Sequence, residues 1–166
     1  MARIRSFAPL LGEQPTKLVL GSMPGLASLA ASQYYAHPRN TFWPIMGELF
    51  GAHRQLAYEQ RVDRLTGAGI AVWDVLGECV RPGSLDSEIQ REGRVANDFL
   101  RFLQDNPGIT AIYFNGGMAA ELFRRIVLPT LGEQRAILQQ LPSTSPANAR
   151  MRLADKLAAW RVVGVQ

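Results

Sequence analysis

Residues 17–43 read KLVLGSMPGLASLAASQYYAHPRNTFW, and the rest of the chain is organised around this stretch. The apolar run Lys17–Leu20 predicts a buried strand, which Gly21–Gly25 ends abruptly with two glycines and a proline. Open α/β sheets bind ligands at the rim formed by such strand ends. Two tyrosines and the tetrapeptide HPRN follow, and they supply an aromatic surface, an amide and a fixed positive charge. The stretch therefore predicts a site for a flat polar ring attached to an anionic group.

The rest of the chain alternates short apolar runs with amphipathic segments. Three further strands are predicted, at Ile70–Trp73, Ile109–Phe114 and Ala136–Leu141. Helices are predicted at Thr41–Phe50, at Gln55–Leu65, at Val95–Gln104, after Gly117, and from about Ala149 to Trp160. The segment 26–33 is expected to be flexible, and Leu76–Arg94 to be irregular. This order predicts a three-layer α/β/α fold around a mainly parallel four-stranded sheet, in a single domain over residues 1–166.

Composition narrows the class of protein. Of the 166 residues, 47% are apolar and 19% are charged, which favours one folded domain with a substantial core. No apolar run approaches the ~20 residues that a bilayer crossing needs, so no membrane association is expected. The single cysteine, Cys79, suits a reducing cytosol, and a cytoplasmic location is expected. With two histidines and one cysteine the chain cannot assemble a clustered zinc site, so neither a metal nor a cofactor is expected.

The charge of the chain points weakly to a polyanionic partner. The formal net charge is +4, and the basic residues are almost all arginines. Arginine suits phosphate recognition because its planar fork matches phosphate oxygens. The same bias also arises from the base composition of coding DNA, so charge alone favours nucleic-acid binding only slightly.

Three strand ends carry the polar and glycine-rich sequence of the chain. They are Gly21–Gly25, Asn115–Gly117 and Leu141–Asn148, and in a parallel sheet they lie along one edge. No phosphate-binding P-loop, dinucleotide-binding GxGxxG sequence or nucleophile elbow is present. The convergence of these three loops therefore predicts a ligand-binding site that uses none of these three motifs.

The motifs GSMPG, YYAHPRNTFW and LPSTSPANA resemble those of the uracil-DNA glycosylase superfamily, most closely its hypoxanthine-DNA glycosylase branch. The segment WDVLGECVRPGSLDS and the strand end at Asn115 also fit. The resemblance implies a monofunctional, monomeric, nucleoid-associated enzyme that acts on double-stranded DNA. It would flip out a deaminated base and hydrolyse its N-glycosidic bond in base excision repair. Uracil or xanthine as main substrate, or a non-catalytic nucleotide-binding module, remain the alternatives.

Two positions depart from the pattern of the wider superfamily. Met23 stands where a carboxylate or an asparagine usually handles the attacking water. Leu141 stands where a histidine usually assists the carbonyl oxygen of uracil. These departures favour hypoxanthine as the substrate.

The resemblance also implies roles for residues of the site. Asn40 becomes the catalytic residue, orienting a water and hydrogen-bonding the leaving purine; a helix N-cap is its alternative role. Tyr35 would stack on the flipped base, whereas without the resemblance Tyr34 and Tyr35 would more often be half-buried core aromatics. The predicted base-binding residues are Ser22, Met23, Tyr35 and Asn115, the last of which could instead be only a turn former.

Other polar residues near these motifs have a predicted role in DNA binding or in the loops. The predicted DNA-binding residues are Arg39, Ser143, Ser145, Asn148 and Arg150. The serines and Asn148 are expected to cap the last helix as well. His37 is expected to be structural. Asp74 and Asp86 could orient a water or the base, with helix capping the favoured role of Asp86. Neither lysine lies in a site motif, so no Schiff-base lyase step is expected.

Overall fold

The computed structural model describes residues 2–165. Within that range the chain forms seven strands: β1 Arg3–Arg5, β2 Lys17–Gly21, β3 Ile70–Asp74, β4 Leu76–Val80, β5 Val95–Ala96, β6 Ala111–Asn115 and β7 Ile137–Leu141. The α-helices are α1 Leu26–Ala31, α2 Phe42–Phe50, α3 Tyr58–Gly67, α4 Phe99–Asp105, α5 Gly117–Leu122 and α6 Leu153–Trp160. Short 3₁₀ turns occur at Asp86–Glu88, Leu128–Thr130, Pro146–Asn148 and Arg161–Gly164, and a π-type turn at Phe123–Val127 continues α5.

The central sheet has four parallel strands in the order β3-β2-β6-β7. This confirms the predicted parallel four-stranded sheet. The register places Gly21 beside Asp74 and Asn115 beside Leu141. Because all four strands run the same way, their carboxyl ends share one edge of the sheet.

Alternating residues of each central strand bury into two separate cores. In β2, Leu18 and Leu20 pack against α4 and α5, while Val19 packs against α2, α3 and α6 on the opposite face. All three side chains are fully buried. Strands covered on both faces read as continuous apolar runs, which is why LVL gives no alternating pattern. The predicted three-layer α/β/α arrangement is therefore confirmed.

A second, smaller sheet was not predicted. Strand β4 pairs antiparallel with β1 and with β5, which gives the order β1-β4-β5. The prediction of irregular structure over Leu76–Arg94 was wrong for its first five residues. The partners of β4 lie far away in sequence, at Arg3–Arg5 and Val95–Ala96, so the local pattern carried no signal of this pairing.

Several helix boundaries also differ from the prediction. The helix predicted from Val95 begins at Phe99, since Asp98 caps it by accepting a hydrogen bond from the Arg101 N–H at 3.1 Å. The last helix begins at Leu153 rather than near Ala149. The segment 26–33, expected to be flexible, instead contains α1, whose first N–H donates to the Ser84 hydroxyl at 2.9 Å.

Candidate active site at the carboxyl edge of the sheet

A cavity of about 910 Å³ opens at the carboxyl edge of the central sheet. The ends of all four central strands line it, through Gly21, Asp74, Asn115 and Leu141. The predicted convergence of three loops is confirmed, and three further segments join them. These are the segment 34–40, the end of β3 and residues 84–87. Its other lining residues include Asn40, Tyr35, Arg39, Ser22 and Met23.

Asn40 lines this cavity just before α2. Its Oδ1 accepts a hydrogen bond from the Phe42 N–H at 2.9 Å, and its own N–H donates to the His37 carbonyl at 2.9 Å. The side chain therefore satisfies an orphan donor at the start of α2, although Thr41 and not Asn40 occupies the N-cap position. This bond fixes which end of the amide is oxygen, because only oxygen can accept. Its Nδ2 group has no hydrogen-bond partner among residues 2–165, so it remains a donor at the cavity wall.

The turn before Asn40 is closed by His37. The Nδ1 atom of His37 accepts a hydrogen bond from the Arg39 N–H at 3.0 Å. The proton of a neutral His37 therefore lies on Nε2. This agrees with the structural role predicted for His37, because the ring holds the loop that presents Asn40.

The two adjacent tyrosines have different surroundings. Tyr34 is 3% exposed, and its hydroxyl donates to the Ala8 carbonyl at 2.9 Å, so it is a core residue. Tyr35 stacks one ring face on Phe42 with the ring centroids 4.0 Å apart. Its backbone has a φ of 55°, a conformation that side-chain-bearing residues rarely adopt and that tends to occur at functional sites. Tyr35 is half-buried and lines the cavity, as a stacking surface must.

Asp74 lies against Gly21 at the base of the cavity. It is 3% exposed, and its Oδ2 atom is buried without a hydrogen-bond partner within the described chain. A Cβ on Gly21 would lie 2.6 Å from Asp74 Oδ1 and 3.1 Å from the Tyr35 hydroxyl, so only glycine fits there. Burial, reinforced by the charge of Asp86, raises the pKa of Asp74 to about 7, and Arg81 opposes the rise. The cavity thus contains a carboxyl group that changes charge near neutral pH.

Asp86 is held by Ser22. The Ser22 hydroxyl donates to Asp86 Oδ1 at 2.5 Å, and burial raises the pKa of Asp86 despite this bond. The predicted capping role of Asp86 was wrong, since Leu85 occupies the cap position of the turn Asp86–Glu88. Ser84 is the residue that caps a helix, through its bond to α1. Ser22 therefore lines the cavity in a fixed orientation.

The two apolar departures from the superfamily pattern both line the cavity. Met23 is 6% exposed and Leu141 is 2% exposed. Met23 packs in the core beneath β2 and β6, and Leu141 packs in the core on the other face. Neither side chain can orient a water or hydrogen-bond a carbonyl oxygen, so this part of the wall is dry and apolar.

Asn115 holds the loop that follows β7. Its Nδ2 donates to the Thr144 hydroxyl at 2.9 Å, and its Oδ1 accepts from the Thr144 N–H at 2.9 Å. Thr144 is fully buried and was not singled out from the sequence. Asn115 therefore positions this loop, and its predicted contact with a base stays a prediction.

The three polar residues predicted to bind phosphate stabilise their own loop. Ser143 accepts from the Ser145 N–H at 3.1 Å, and Ser145 accepts from the Ala147 N–H at 3.2 Å. Asn148 Nδ2 donates to the Ser143 carbonyl at 3.0 Å. Ser145 caps the turn Pro146–Asn148, so the expected capping of the last helix was wrong. An accepted hydrogen bond leaves the hydroxyl proton free to donate, so both serines keep the capacity to bind a phosphate oxygen.

The basic residues divide between the cavity mouth and its surroundings. Arg39 is exposed and lines the cavity, whereas Arg150 is exposed but lies outside the lining. Lys17 and Lys156 do not line it either, and Lys17 instead donates to the carbonyls of Val163 and Val165. No group of three or more His, Cys, Asp and Glu side chains suited to a metal ion occurs within residues 2–165. None of the helices in that range has the length and apolar composition of a membrane span.

The α/β/α fold and the cavity at the carboxyl edge of its sheet agree with the comparison with known proteins. The chain belongs to the uracil DNA glycosylase superfamily, whose sequence profile it matches over residues 9–164. It is 35% identical over 160 residues to a protein of Methanosarcina acetivorans named hypoxanthine DNA glycosylase, with 96% of each chain covered. A protein of Methanosarcina barkeri with the same name is 32% identical over 157 residues, with 94% of each covered.

A solved structure agrees with these sequence relatives. It is a solution NMR structure of a Methanosarcina acetivorans protein described as a candidate uracil DNA glycosylase. It superposes with a TM-score of 0.78 at 33% identity, covering 99% of this chain and all of that one. The similarity therefore extends over the whole fold, and DNA is the substrate class of this family.

Proposed function

We propose that this chain is a monofunctional DNA glycosylase that flips hypoxanthine out of double-stranded DNA and hydrolyses its N-glycosidic bond. The names of its two archaeal relatives support the substrate. One observation carries the proposal for the site: Asn40 lies on the cavity wall with its oxygen fixed by α2 and its Nδ2 donor unused. A cavity of about 910 Å³ has room for a purine with its sugar.

The depth of each residue indicates how the base enters. A flipped nucleotide stays attached to the duplex, so its sugar remains at the mouth and the base edge farthest from the sugar goes deepest. Asp74, 3% exposed, lies deep, while the exposed Arg39 lies at the mouth. Asn40 is half-buried between these extremes. This order supports a pose in which Asn40 lies near the glycosidic bond and Asp74 near the O6–N1 edge of hypoxanthine.

Asn40 can then act on the bond that breaks. Water adds to C1′ as the C1′–N9 bond breaks, the electron pair of that bond leaves with the base, and the proton that the water loses balances the proton that the base gains. Negative charge grows on the departing base, and the Asn40 Nδ2 group donates to one of its ring nitrogens. The donor is preorganised because the hydrogen bond from the Phe42 N–H to Asn40 Oδ1 fixes the amide plane. Preorganised donors of this kind contribute ~3–4 kcal/mol to transition-state stabilisation.

Tyr35 and Asp74 hold the base on which Asn40 acts. Since Phe42 covers one face of the Tyr35 ring, the base stacks on the other. An acceptor oxygen of Asp74 receives the N1–H of hypoxanthine, and the protonated carboxyl also donates to O6.

The apolar wall favours hypoxanthine over uracil. Met23 and Leu141 replace polar groups that the superfamily uses on uracil and its attacking water, and both are buried apolar side chains here. Arg39, Ser143, Ser145, Asn148 and Arg150 bind the phosphates that flank the flipped nucleotide. The protein acts as a monomer in the cytoplasm, at the nucleoid.

A labelled duplex with a single deoxyinosine tests the proposal. With enzyme in excess, we expect strand scission only after alkali treatment, because neither lysine reaches the cavity to form a Schiff base. Matched duplexes carry uracil opposite guanine, xanthine, or adenine at the same position. Faster excision of uracil or xanthine than of hypoxanthine would overturn the substrate assignment. Binding of the deoxyinosine duplex without base release would leave only a binding module.

A further inference from the structure

The proposed hydrolysis needs a group that takes a proton from the attacking water. The amide of Asn40 has no basic atom near neutral pH, so it cannot be that group. Four side chains of the cavity wall can carry a charge near neutral pH, namely His37, Arg39, Asp74 and Asp86. Arg39 stays protonated, and the Nδ1 atom of His37 already accepts from the Arg39 N–H. The proton acceptor is therefore one of the two carboxyl groups.

The two carboxyl groups differ in their charge. Burial raises the pKa of Asp86, but the hydrogen bond from the Ser22 hydroxyl and the charge of Arg81 oppose the rise. Burial and then the charge of Asp86 raise the pKa of Asp74 to about 7. Asp86 therefore ionises first, while Asp74 still keeps its proton. Neighbouring carboxyl groups whose pKa values are pushed apart in this way divide the acid and base roles of a site.

Asp86 and Asn40 reach the cavity from opposite faces of the central sheet. Asn40 precedes α2, whose Phe42 side chain packs in the core on one face. Asp86 precedes Ile89, which packs in the core on the other face, and the Ser22 hydroxyl holds its Oδ1 atom at 2.5 Å. Both residues are half-buried, so they lie at similar depth. When a bond to a sugar is hydrolysed by direct displacement, the water and the leaving group occupy opposite faces of the ring.

We propose that Asp86 is the general base, which takes a proton from the attacking water on the side of the sugar opposite Asn40. This inference rests on the proposed glycosylase function and adds a catalytic residue to it. The bond between the water oxygen and C1′ forms as the C1′–N9 bond breaks, and the electron pair of that bond leaves with the purine. Asp86 holds the proton of the water and returns it as the purine anion is protonated. Ser22 is a positioning residue, since its hydroxyl orients the carboxylate.

Replacement of Asp86 by asparagine tests this role. Asparagine keeps an oxygen that accepts from Ser22, so the variant should fold, but it cannot take a proton from water. We expect Asp86→Asn to lower single-turnover release of hypoxanthine from a deoxyinosine duplex by at least about a hundredfold. Affinity for the duplex should not fall, because the proton moves only during the reaction. The control is Glu88→Gln, which should keep the rate, since Glu88 is an exposed carboxylate of the same turn outside the cavity lining.

Sodium azide distinguishes a general base from a residue that only shapes the cavity. Azide attacks C1′ as an anion and has no proton to lose, so it needs no base. We expect azide to raise hypoxanthine release by Asp86→Asn at least about tenfold. It should leave Asn40→Ala slow, because that variant still lacks the donor to the leaving purine. Thermal melting checks that each variant folds.

The possible outcomes are distinct. A rate for Asp86→Asn within about threefold of that of the unmodified protein would overturn the assignment. A loss that azide does not restore would also overturn it, as would an equal gain with azide in both variants. Absence of hypoxanthine release by the unmodified protein would instead refute the proposed function, before any variant is compared.

Discussion

Replacing Asp74 by asparagine should make the protein more stable at alkaline pH. The buried carboxyl keeps its proton up to about pH 7 in the folded chain, whereas 3.8 is its ordinary pKa. Between these two values the unfolded chain has lost a proton that the folded chain retains, so the stability contributed by Asp74 falls as pH rises through this window. Above the pKa of Asp74 in the folded chain, the loss of stability caused by its buried charge no longer changes with pH. Asparagine keeps the shape of the side chain and carries no charge, so it avoids this cost.

The magnitude follows from the two pKa values. The interval between 3.8 and about 7 corresponds to roughly 4 kcal/mol at ~1.36 kcal/mol per pKa unit. The side chain is 3% exposed, so solvent screening is weak, and the nearby charges that act on it are Asp86 and Arg81. At pH 5 the pH is closer to the ordinary pKa of 3.8 than to the folded-state pKa of about 7. The expected difference in unfolding free energy between the variant and the unmodified protein therefore shrinks to about 2 kcal/mol or less.

Urea unfolding at pH 8 and at pH 5 measures this difference. We expect Asp74→Asn to raise the free energy of unfolding at pH 8 and to lose at least half of that gain at pH 5. The control is Asp63→Asn, an exposed position on α3 that should change stability by less than about 0.5 kcal/mol at either pH. A variant that is equally or less stable than the unmodified protein at both pH values would refute the claim that the buried charge of Asp74 destabilises the folded chain.

Two further predictions concern the base and the phosphates. Tyr35→Phe should keep most activity, because the ring does the stacking, whereas Tyr35→Ala should lose about ten- to hundredfold in single-turnover rate. Equal loss in both variants would assign the role to the hydroxyl. Arg150→Ala should weaken binding to all duplexes alike and flatten the salt dependence of binding. The reason is that a protein with one phosphate contact fewer releases fewer counterions from the DNA. An unchanged salt slope in a binding titration would remove Arg150 from the interface.

Local sequence patterns predicted most of the fold for a physical reason. A strand that is buried on both faces gives a continuous apolar run, as in Lys17–Leu20. A helix that is buried on one face gives apolar residues at helical spacing, as in Thr41–Phe50. The small second sheet was missed because Arg3–Arg5 pairs with residues 78–80, which lie far away in sequence. The late start of α4 reflects one cap at Asp98, which a periodic pattern does not resolve.

The candidate site was predicted in outline and missed in its detail. Strand ends at Gly21, Asn115 and Leu141 indicated the right edge of the sheet. Asp74 ends the apolar run IAVWD, a signal that could have placed it there, but its burial against Gly21 depends on the register of β2 and β3. The pairing of Asn115 with Thr144 spans 29 residues and left no trace in the local sequence. Contacts of this kind depend on the assembled fold.

The most direct test of the central claim measures free hypoxanthine released from a deoxyinosine duplex by the unmodified protein and by three Asn40 variants. Asn40→Ala should lower the single-turnover rate by roughly 10²–10³ with little change in duplex affinity, since the donor acts in the transition state. Asn40→Ser and Asn40→Asp retain a side-chain oxygen that can accept from the Phe42 N–H, a bond worth ~1 kcal/mol of stability, and should still lose the rate. A serine variant with near-native stability and near-native release of hypoxanthine would contradict the account.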